Sequence, residues 1–355
     1  MTYKTNNTNT INPDASTSFN KIFVNRIFRA GGATGGGSSP AIGSVACYST
    51  GGYNGTPPYY GGNYYSNRID KFPFASSANA TDTGDLYTGY PTARGIGLHT
   101  SASSDTDAFT LSGGSPSGGN FPFAGSTLIQ SFSFASEGNS TDTGRDLLSA
   151  DPVRDGAGNS SNTHGYTSGG YPNFTNTIQK FAFATSDNAT DVGDMSGTRV
   201  LRSANSASSP AFGYLFGGAS PYPNELNIIE KFPFAADTNS TDVGDLQHPR
   251  IGLGGHNSPT HAYASGGSNP YPYSYNYIEK VPFAADGNTV DVGDLTTGTA
   301  VHGSSSSEDG GFRAGGAPFP ARYNIIDKFP FASDGNSVDY GDLTQGRTYV
   351  GTNMD

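Results

Sequence analysis

The chain has 355 residues, a formal net charge of −11 and a single cysteine, Cys47. An acidic surface repels phosphate backbones, so nucleic acid is excluded as a predicted partner, and one cysteine cannot form an intrachain disulfide. The 50 Gly and 22 Pro residues, with 21 Tyr and 22 Phe to fill a core, are typical of an all-β protein with many short strands.

The N-terminal segment, residues 1–21, is polar and low in complexity. A segment of this composition cannot bury enough apolar surface to fold alone. We therefore expect residues 1–21 to form an arm that is either disordered or anchored by a partner. The arm lacks the apolar stretch of a signal peptide, and no later run approaches the about 18 apolar residues of a membrane-spanning helix, so no membrane insertion is predicted.

A pentapeptide related to Lys-Phe-Pro-Phe-Ala recurs along the rest of the chain. Its copies are separated by about 50 residues, a period typical of repeat architectures. The copies begin at Lys71, Ser131, Lys180, Lys231, Lys280 and Lys328.

Two further motifs keep a fixed order around each pentapeptide. An aromatic residue followed by Gly-Gly precedes it, and a motif close to Asp-x-Gly-Asp-Leu follows it. Because chance similarity between Gly-rich segments would not preserve this order, residues from about 43 to 346 are predicted to hold six copies of one unit. The aromatic residues are Tyr48, Phe109, Tyr166, Tyr214, Tyr263 and Phe312, and the acidic motifs begin at Asp82, Asp142, Asp191, Asp242, Asp291 and Asp339.

Each unit is predicted to form four strands, a to d, separated by Gly, Pro, Asn and Ser turn signals. Strand a is a small-residue run after an arginine, such as 250–253, and strand b is the aromatic run, such as 261–265. Strand c is the strongest, such as 324–329, and strand d is short, such as 290–292. Since such a unit buries both faces only between neighbours, the sequence predicts an all-β fold, a six-bladed β-propeller over residues 22–355.

The repeated motifs have structural interpretations. The two Phe residues of the pentapeptide are two positions apart, so they share one face of strand c and are expected to wedge between blades. Proline cannot donate to a strand ladder, so strand c should end or bulge at the Pro that four copies contain. Asp-x-Gly-Asp is interpreted as a bend at the outer rim rather than a calcium loop, because it lacks alternating oxygen ligands.

Two segments could close the ring. Residues 347–351 resemble a strand a with no strand b after it, and the first unit begins near strand b at Tyr48. We favour docking of this C-terminal segment beside residues 47–50. The alternative is residues 28–40, which also contain an arginine and small residues.

The order of aromatic residue, Gly-Gly, strand, Leu and Arg resembles the kelch repeat, although the tryptophan usual in its strand d is missing throughout. The form Ile-x-Lys-Phe-Pro-Phe-Ala, followed by Asp-x-Gly-Asp-Leu, is more similar still to repeats in structural proteins of marine cyanobacterial phages. The resemblance covers residues 43–346. It implies a virion component, such as a tail appendage, a tail fibre or a capsid decoration.

The b–c connections are rich in Tyr, Phe and Pro, and in a propeller they all leave one face together with the d–a connections. Aromatic side chains with a polar tip suit a sugar or a protein interface. The alternative is that they only pack against neighbouring loops. The candidate binding residues are Tyr59, Tyr60, Tyr222, Tyr271, Tyr273 and Phe319.

No catalytic residues, metal site or cofactor are predicted. No pair of the six histidines has metal-ligand spacing, and the departures from the repeat are too small to add a catalytic cluster. The arginines after each Leu are expected to bind backbone carbonyls or aspartates between blades. They are Arg94, Arg154, Arg199, Arg250 and Arg347.

Two functions remain open from the sequence. The first is a non-enzymatic virion structural protein that is held to other virion proteins through residues 1–21 and uses the propeller as an interaction platform. The alternative is a receptor- or glycan-binding adhesin module on a phage appendage, whose partner would be a host-surface glycan or receptor.

Overall fold

The protein is described by a computed structural model in which the chain divides into two units, Met1–Gly37 and Ser38–Asp355. In the first unit, strands β1 (Tyr3–Lys4) and β2 (Thr10–Ile11) pair in antiparallel register. The structure describes residues 3–4, 10–11, 42–55, 65–88, 96–113, 126–148, 153–171, 173–202, 205–220, 224–270, 273–318 and 321–355.

The described residues of the second unit form six antiparallel sheets, each of four strands in the order a, b, c, d. The strands a of neighbouring sheets contact one another in a closed circle, so each sheet is a blade around a central channel. Blade 1 consists of β26 (Gly351–Met354), β3 (Ala46–Thr50), β4 (Arg68–Pro73) and β5 (Thr81–Asp85); blade 2 of β6 (Thr100–Ser103), β7 (Asp107–Leu111), β8 (Leu128–Ser133) and β9 (Thr141–Asp146); blade 3 of β10 (Ala157–Ser160), β11 (His164–Ser168), β12 (Thr177–Ala182) and β13 (Thr190–Asp194).

The other three blades repeat this arrangement, which confirms the predicted six-bladed β-propeller and is consistent with kelch-like repeats. Blade 4 consists of β14 (Ser206–Ser208), β15 (Phe212–Phe216), β16 (Ile228–Pro233) and β17 (Thr241–Asp245); blade 5 of β18 (Gly254–Asn257), β19 (His261–Ser265), β20 (Tyr277–Pro282) and β21 (Val290–Asp294); blade 6 of β22 (Gly303–Ser306), β23 (Gly310–Ala314), β24 (Ile325–Pro330) and β25 (Val338–Asp342).

The strand boundaries test the prediction made for each unit. Strand b of blade 5 spans His261–Ser265 as predicted, and strand c ends at the proline of the pentapeptide. Strand a begins later than predicted, at Gly254 rather than near residue 250. The cause is a turn at Gly252, whose φ of +68° interrupts the extended chain after the arginine.

The C-terminal strand completes blade 1. Strand β26 pairs antiparallel with β3, and Met354 lies opposite Cys47. Of the two closures considered, the structure has the C-terminal one, with a strand that begins at Gly351 rather than within residues 347–350. The alternative segment, residues 28–40, lies outside the described residues.

In blade 1 the a–b turn is formed by Asp355 and Ser44, which are not joined by a peptide bond, and Asp355 holds this turn through hydrogen bonds. Its Oδ1 accepts hydrogen bonds from the N–H groups of Val45 (3.1 Å) and Ala46 (2.8 Å). In blade 2 the Oγ of Ser104 accepts bonds from the two equivalent N–H groups, at 3.3 and 3.0 Å. The carboxylate of Asp355 therefore takes the place of the turn serine.

The aromatic residue of each strand b packs against the pentapeptide of the next blade. The ring centroid of Tyr166, for example, lies 5.4 Å from that of Phe232 and 4.9 Å from that of Phe234. The predicted wedge between blades is therefore confirmed. Equivalent ring contacts join Tyr48 to Phe132 and Phe134, Phe109 to Phe181 and Phe183, Tyr214 to Phe283, Tyr263 to Phe329 and Phe331, and Phe312 to Phe72 and Phe74.

An asparagine of each c–d turn bonds to the outer strand of the preceding blade. The Oδ1 of Asn288 accepts a hydrogen bond from the N–H of Asp245 at 2.9 Å. A Cβ on Gly244 would lie only 2.1 Å from the carbonyl O of Gly287 in that turn. The Asp-x-Gly-Asp motif is thus at the outer rim but inside strand d rather than at a bend, because its glycine admits the neighbouring turn. Equivalent bonds join Asp85 to Asn139, Asp146 to Asn188, Asp194 to Asn239, Asp294 to Asn336 and Asp342 to Asn79.

We expect Gly244→Ala to lower the free energy of unfolding by about 2 kcal/mol, a usual cost of forcing extra volume into a packed contact. The φ of Gly244, +155°, adds strain for an L residue. Urea unfolding would measure the loss. Gly197→Ala is the matched control, because no atom lies within 4 Å of its added Cβ. Equal losses in the two variants would contradict this explanation.

Buried arginine–carboxylate pairs join the d–a connection of one blade to strand c of the next. Three of the five predicted arginines bind a carboxylate between blades: Arg347 binds an aspartate, as predicted, whereas Arg199 and Arg250 bind glutamates. Arg154 instead stacks on Tyr171, and Arg94 lies outside the described residues. The pairs are Arg199–Glu230, Arg250–Glu279 and Arg347–Asp70, with N–O distances of 2.7, 3.0 and 2.7 Å.

A second set of ion pairs also joins neighbouring blades, and the boundary between blades 2 and 3 has a different contact in its place. At four of the six boundaries a strand c lysine pairs with an acid in the next c–d turn, whereas Lys328 of blade 6 pairs with Asp309 of its own blade and blade 2 has Ser131 at the lysine position. There the extra residue Arg145 donates to the carbonyl O atoms of Ala182 (2.6 Å) and Thr185 (2.8 Å). The insertion therefore replaces the missing ion pair. The pairs at those four boundaries are Lys71–Glu137, Lys180–Asp237, Lys231–Asp286 and Lys280–Asp334.

Candidate functional site

The b–c face is the face of the ring on which strands b end and strands c begin. Tyr273 is the predicted binding residue that the structure describes on this face, and 72% of its surface is exposed. The other predicted residues lie outside the described residues: Tyr59, Tyr60, Tyr222, Tyr271 and Phe319.

Hydrogen bonds hold the turn from which Tyr273 projects. The N–H of Tyr273 donates to the carbonyl O of Pro270 at 2.9 Å, and the N–H of Asn269 donates to that of Tyr273 at 3.3 Å. The hydroxyl of Tyr275 donates to the carbonyl O of Asn269 at 3.0 Å. The ring of Tyr273 is therefore presented on a braced turn, which lowers the entropy cost of binding a partner.

The same turn is fastened to the blades on either side. The Nδ2 of Asn269 donates to the carbonyl O of Pro249 at 2.8 Å, next to the d–a connection from blade 4. On the other side, the N–H of Thr299 donates to the carbonyl O of Tyr275 at 3.0 Å. Tyr273 and Tyr275 are thus held in position between the two blade connections.

Tyr275 and Tyr277, two and four residues after Tyr273, pack against His248 of the preceding d–a connection. The centroids of Tyr275 and Tyr277 are 5.1 Å apart with the ring planes at 20°. The ring of His248 lies 5.9 Å from that of Tyr275 and 5.4 Å from that of Tyr277. His248 is exposed and the two tyrosines are partly exposed. We call His248, Tyr273, Tyr275 and Tyr277 the blade-5 aromatic group.

The blade-5 aromatic group is not part of the repeat. Sequence reasoning missed His248 and Tyr277, although a tyrosine at the first position of strand c was a signal that could have revealed the site. The position of Tyr277 is occupied in the other blades by Arg68, Leu128, Thr177, Ile228 and Ile325, and that of His248 by Thr88, Gly197, Thr297 and Gln345 where the structure describes it.

Other tyrosines of the b–c face lie under arginine side chains. The guanidinium groups are 4.2 to 5.5 Å from the ring centroids, within the range of a cation–π interaction. Within the described part of the chain, no Lys or Arg lies over the tyrosines of the blade-5 aromatic group. The covered pairs are Arg154 over Tyr171, Arg322 over Tyr53 and Arg313 over Tyr323.

The central channel is a concave feature of the ring. The strands a line it, mostly with Ser, Thr and Gly. The Oγ of Ser206 donates to the carbonyl O of Gly158 at 2.6 Å, and the Nδ2 of Asn159 donates to that of Ala207 at 2.7 Å. These polar groups hold neighbouring inner strands together.

Two buried histidines form a directional hydrogen-bond chain between blades 5 and 6. The Nδ1 of His256 lies 3.0 Å from the carbonyl O of Ser305 and must donate, so its Nε2 accepts from the hydroxyl of Ser265 at 2.8 Å. The same hydroxyl oxygen then accepts from the Nε2 of His302 at 3.2 Å. Burial lowers the pKa of His256 to about 4 and that of His302 well below its usual value, so both rings are neutral near pH 7.

Stability is expected to fall as the pH is lowered from 6.5 to about 4. His256 titrates near pH 6.5 when unfolded, whereas burial lowers its folded pKa to about 4, so below pH 6.5 the unfolded chain binds more protons. The shift corresponds to about 3 kcal/mol, lost progressively over this window. Urea unfolding at several pH values would measure it. In His256→Asn, which copies Asn159 of blade 3, the dependence should be weaker; an unchanged dependence would contradict the assignment.

Among the described residues, no three His, Cys, Asp or Glu side chains are grouped as metal ligands would be. In the same part of the chain, no helix has the length and apolar character needed to cross a membrane. No protein-family model matches the sequence, and no curated protein matches it. The function must therefore be inferred from the geometry of the b–c face.

Proposed function

We propose that this chain is a non-enzymatic interaction module of a phage virion and that the b–c face is its binding surface. β-Propellers are common protein-interaction platforms, and one fold supports many functions, so the site rather than the fold must carry the assignment. The blade-5 aromatic group is the site that best supports a binding function.

The observation that carries the proposal is an exposed aromatic residue on a braced, non-repeated turn. The repeated polar residues already have partners between blades, as Asn288 and Arg250 show. Tyr273 has no such role, since 72% of its surface is exposed. Tyrosine is enriched at the centres of protein interfaces, where a rigid ring buries a large area at low entropy cost.

The virion assignment draws on the sequence resemblance. The repeat with Ile-x-Lys-Phe-Pro-Phe-Ala is similar to repeats of phage structural proteins. Residues 1–21 are polar and suit a tether to other virion proteins. We therefore place the protein in the virion, as part of a tail appendage, a tail fibre or a capsid decoration.

Mass spectrometry and electron microscopy of purified phage particles would test the virion assignment. We expect the chain in gradient-purified particles at a constant ratio to the capsid protein, and labelled antibody at one defined position. Deletion of residues 1–21 should abolish incorporation while the propeller still folds. Absence of the chain from intact particles would overturn the assignment.

A receptor- or glycan-binding adhesin module is the second candidate. The observation that favours it is the exposure of Tyr273, because a solvent-facing ring can stack on a sugar. The two candidates differ in what covers the ring. If particles that carry Tyr273→Ala assemble normally but no longer attach to host cells, the adhesin function is supported; if assembly fails, the structural function is supported.

A further inference from the structure

We infer that the blade-5 aromatic group is a docking site for an arginine-bearing basic segment of a partner protein. This inference rests on the proposed use of the b–c face for binding and names the chemistry of the partner. It follows from the arginine–tyrosine contacts that the chain itself makes on this face, and from the charge around the group.

The chain itself pairs tyrosine with arginine on the b–c face. The guanidinium of Arg154 lies 4.2 Å from the ring centroid of Tyr171, and that of Arg322 lies 4.5 Å from that of Tyr53. Both tyrosines follow the end of a strand b, whereas Arg154 lies in a d–a connection and Arg322 lies before a strand c. Within the described residues, no guanidinium lies over the rings of the blade-5 aromatic group, because Arg250, which interacts electrostatically with Tyr275 and Tyr277, is buried in its pair with Glu279. An arginine from another chain would complete the pattern.

The charge around the group favours a basic partner. The basic residues close to the group are already paired, since Arg250 is buried in an ion pair with Glu279 and Lys280 pairs with Asp334. The charges left nearby are carboxylates of the outer strands, such as Asp294, which lies opposite Tyr277 in the blade-5 ladder. Electron-rich rings in a negative field attract a cation, and the net charge of −11 acts in the same direction.

Ring geometry favours arginine over lysine. Tyr275 and Tyr277 are almost parallel, with planes at 20°, and Tyr273 is held on a braced turn beside them in the chain. A planar guanidinium can stack on such rings and still donate hydrogen bonds at its edge, whereas an ammonium ion is more strongly hydrated. A neutral sugar would use the rings but gain nothing from the carboxylates.

Binding of three probes to the full chain would test the inference. The probes are an octapeptide of alternating Gly and Arg, the same peptide with Lys for Arg, and maltohexaose as a neutral sugar. We expect the arginine peptide to bind most tightly. The double variant Tyr273→Ala, Tyr277→Leu should weaken its binding about ten-fold, as expected for the loss of two exposed cation–π contacts. The variant removes no charge, so general attraction to an acidic protein stays constant.

Two features make the result decisive. Leucine occupies the position of Tyr277 in blade 2, as Leu128, so the variant should fold, and an unchanged melting temperature would verify this. Tyr87→Ala is the control, because Tyr87 is 41% exposed and lies outside the group; it should bind like the parent chain. Equal arginine-peptide affinity in the double variant would overturn the inference. The inference would also be overturned if the parent chain bound maltohexaose but not the arginine peptide, and the double variant lost the sugar. In that case the b–c face would remain a binding surface.

Discussion

Removal of residues 351–355 is expected to open the ring and make Cys47 reactive. The truncation deletes strand β26, which covers the inner edge of β3 opposite Cys47. In the intact ring this thiol is fully buried, and burial raises its pKa to about 12. Because the thiolate is the reactive form, labelling should be very slow near pH 7. Without β26, we expect maleimide labelling to accelerate by about a hundredfold or more, as for an exposed thiol of ordinary pKa.

The same truncation should lower the melting temperature by roughly 10 °C or more, which corresponds to about 5 kcal/mol in a domain of this size. The loss has several physical sources. The Nδ2 of Asn353 donates to the carbonyl O atoms of Ala102 (2.7 Å) and Phe109 (3.2 Å), so β26 also joins blade 1 to blade 2. Asp355 supplies the turn bonds to Val45 and Ala46.

A circular permutant provides the matched control for this truncation. In this permutant residues 1–43 are omitted and Asp355 is joined directly to Ser44. The chain is opened instead at the equivalent turn of blade 2, between Ser104 and Asp105. Since Asp355 already holds the turn as Ser104 does, the permutant should keep Cys47 protected. Slow labelling of the truncated chain, or fast labelling of the permutant, would show that β26 does not close the ring as described.

Arg347→Met is expected to lower the free energy of unfolding by about 3–5 kcal/mol, the usual cost of leaving one charge of a buried pair without its partner. Arg347 and Asp70 are both fully buried, and Nη2 lies 2.7 Å from Oδ2. The Nη1 of Arg347 also donates to the carbonyl O of Gly51 at 2.8 Å. Urea unfolding at pH 7 would measure the loss.

Blade 6 provides a rescue variant for this pair. It has Thr299 at the equivalent arginine position, and Arg313 on strand b instead pairs with Asp327 at 2.7 Å. The residue of blade 1 equivalent to Arg313 is Ser49. Arg347→Thr alone should therefore be about as unstable as Arg347→Met, whereas adding Ser49→Arg should restore at least half of the loss. If Arg347→Thr were neutral, or if Ser49→Arg gave no recovery, the charge requirement at Asp70 would be disproved.

The sequence by itself determined the number of blades and which side chains share a face of strand c. Three motifs in fixed order mark six units, and each unit must be one sheet because four strands bury both faces only between neighbours. Side chains two positions apart, such as Phe232 and Phe234, share a face of an extended strand, so the wedge between blades could be predicted. Proline marked the end of strand c because it cannot donate to the ladder.

Only the tertiary structure decided which residues meet across the blades. The bond from Asp245 to Asn288 joins residues 43 positions apart, and the stack of His248 on Tyr275 joins two distant segments of the chain; no local periodicity relates either pair. Ring closure is of the same kind, since Met354 meets Cys47 only after six blades have turned the chain through a full circle. Local spacing sets the direction of a side chain, whereas curvature of the whole ring sets its partner. The blade-5 aromatic group, where the copies differ, therefore became visible only in the folded ring.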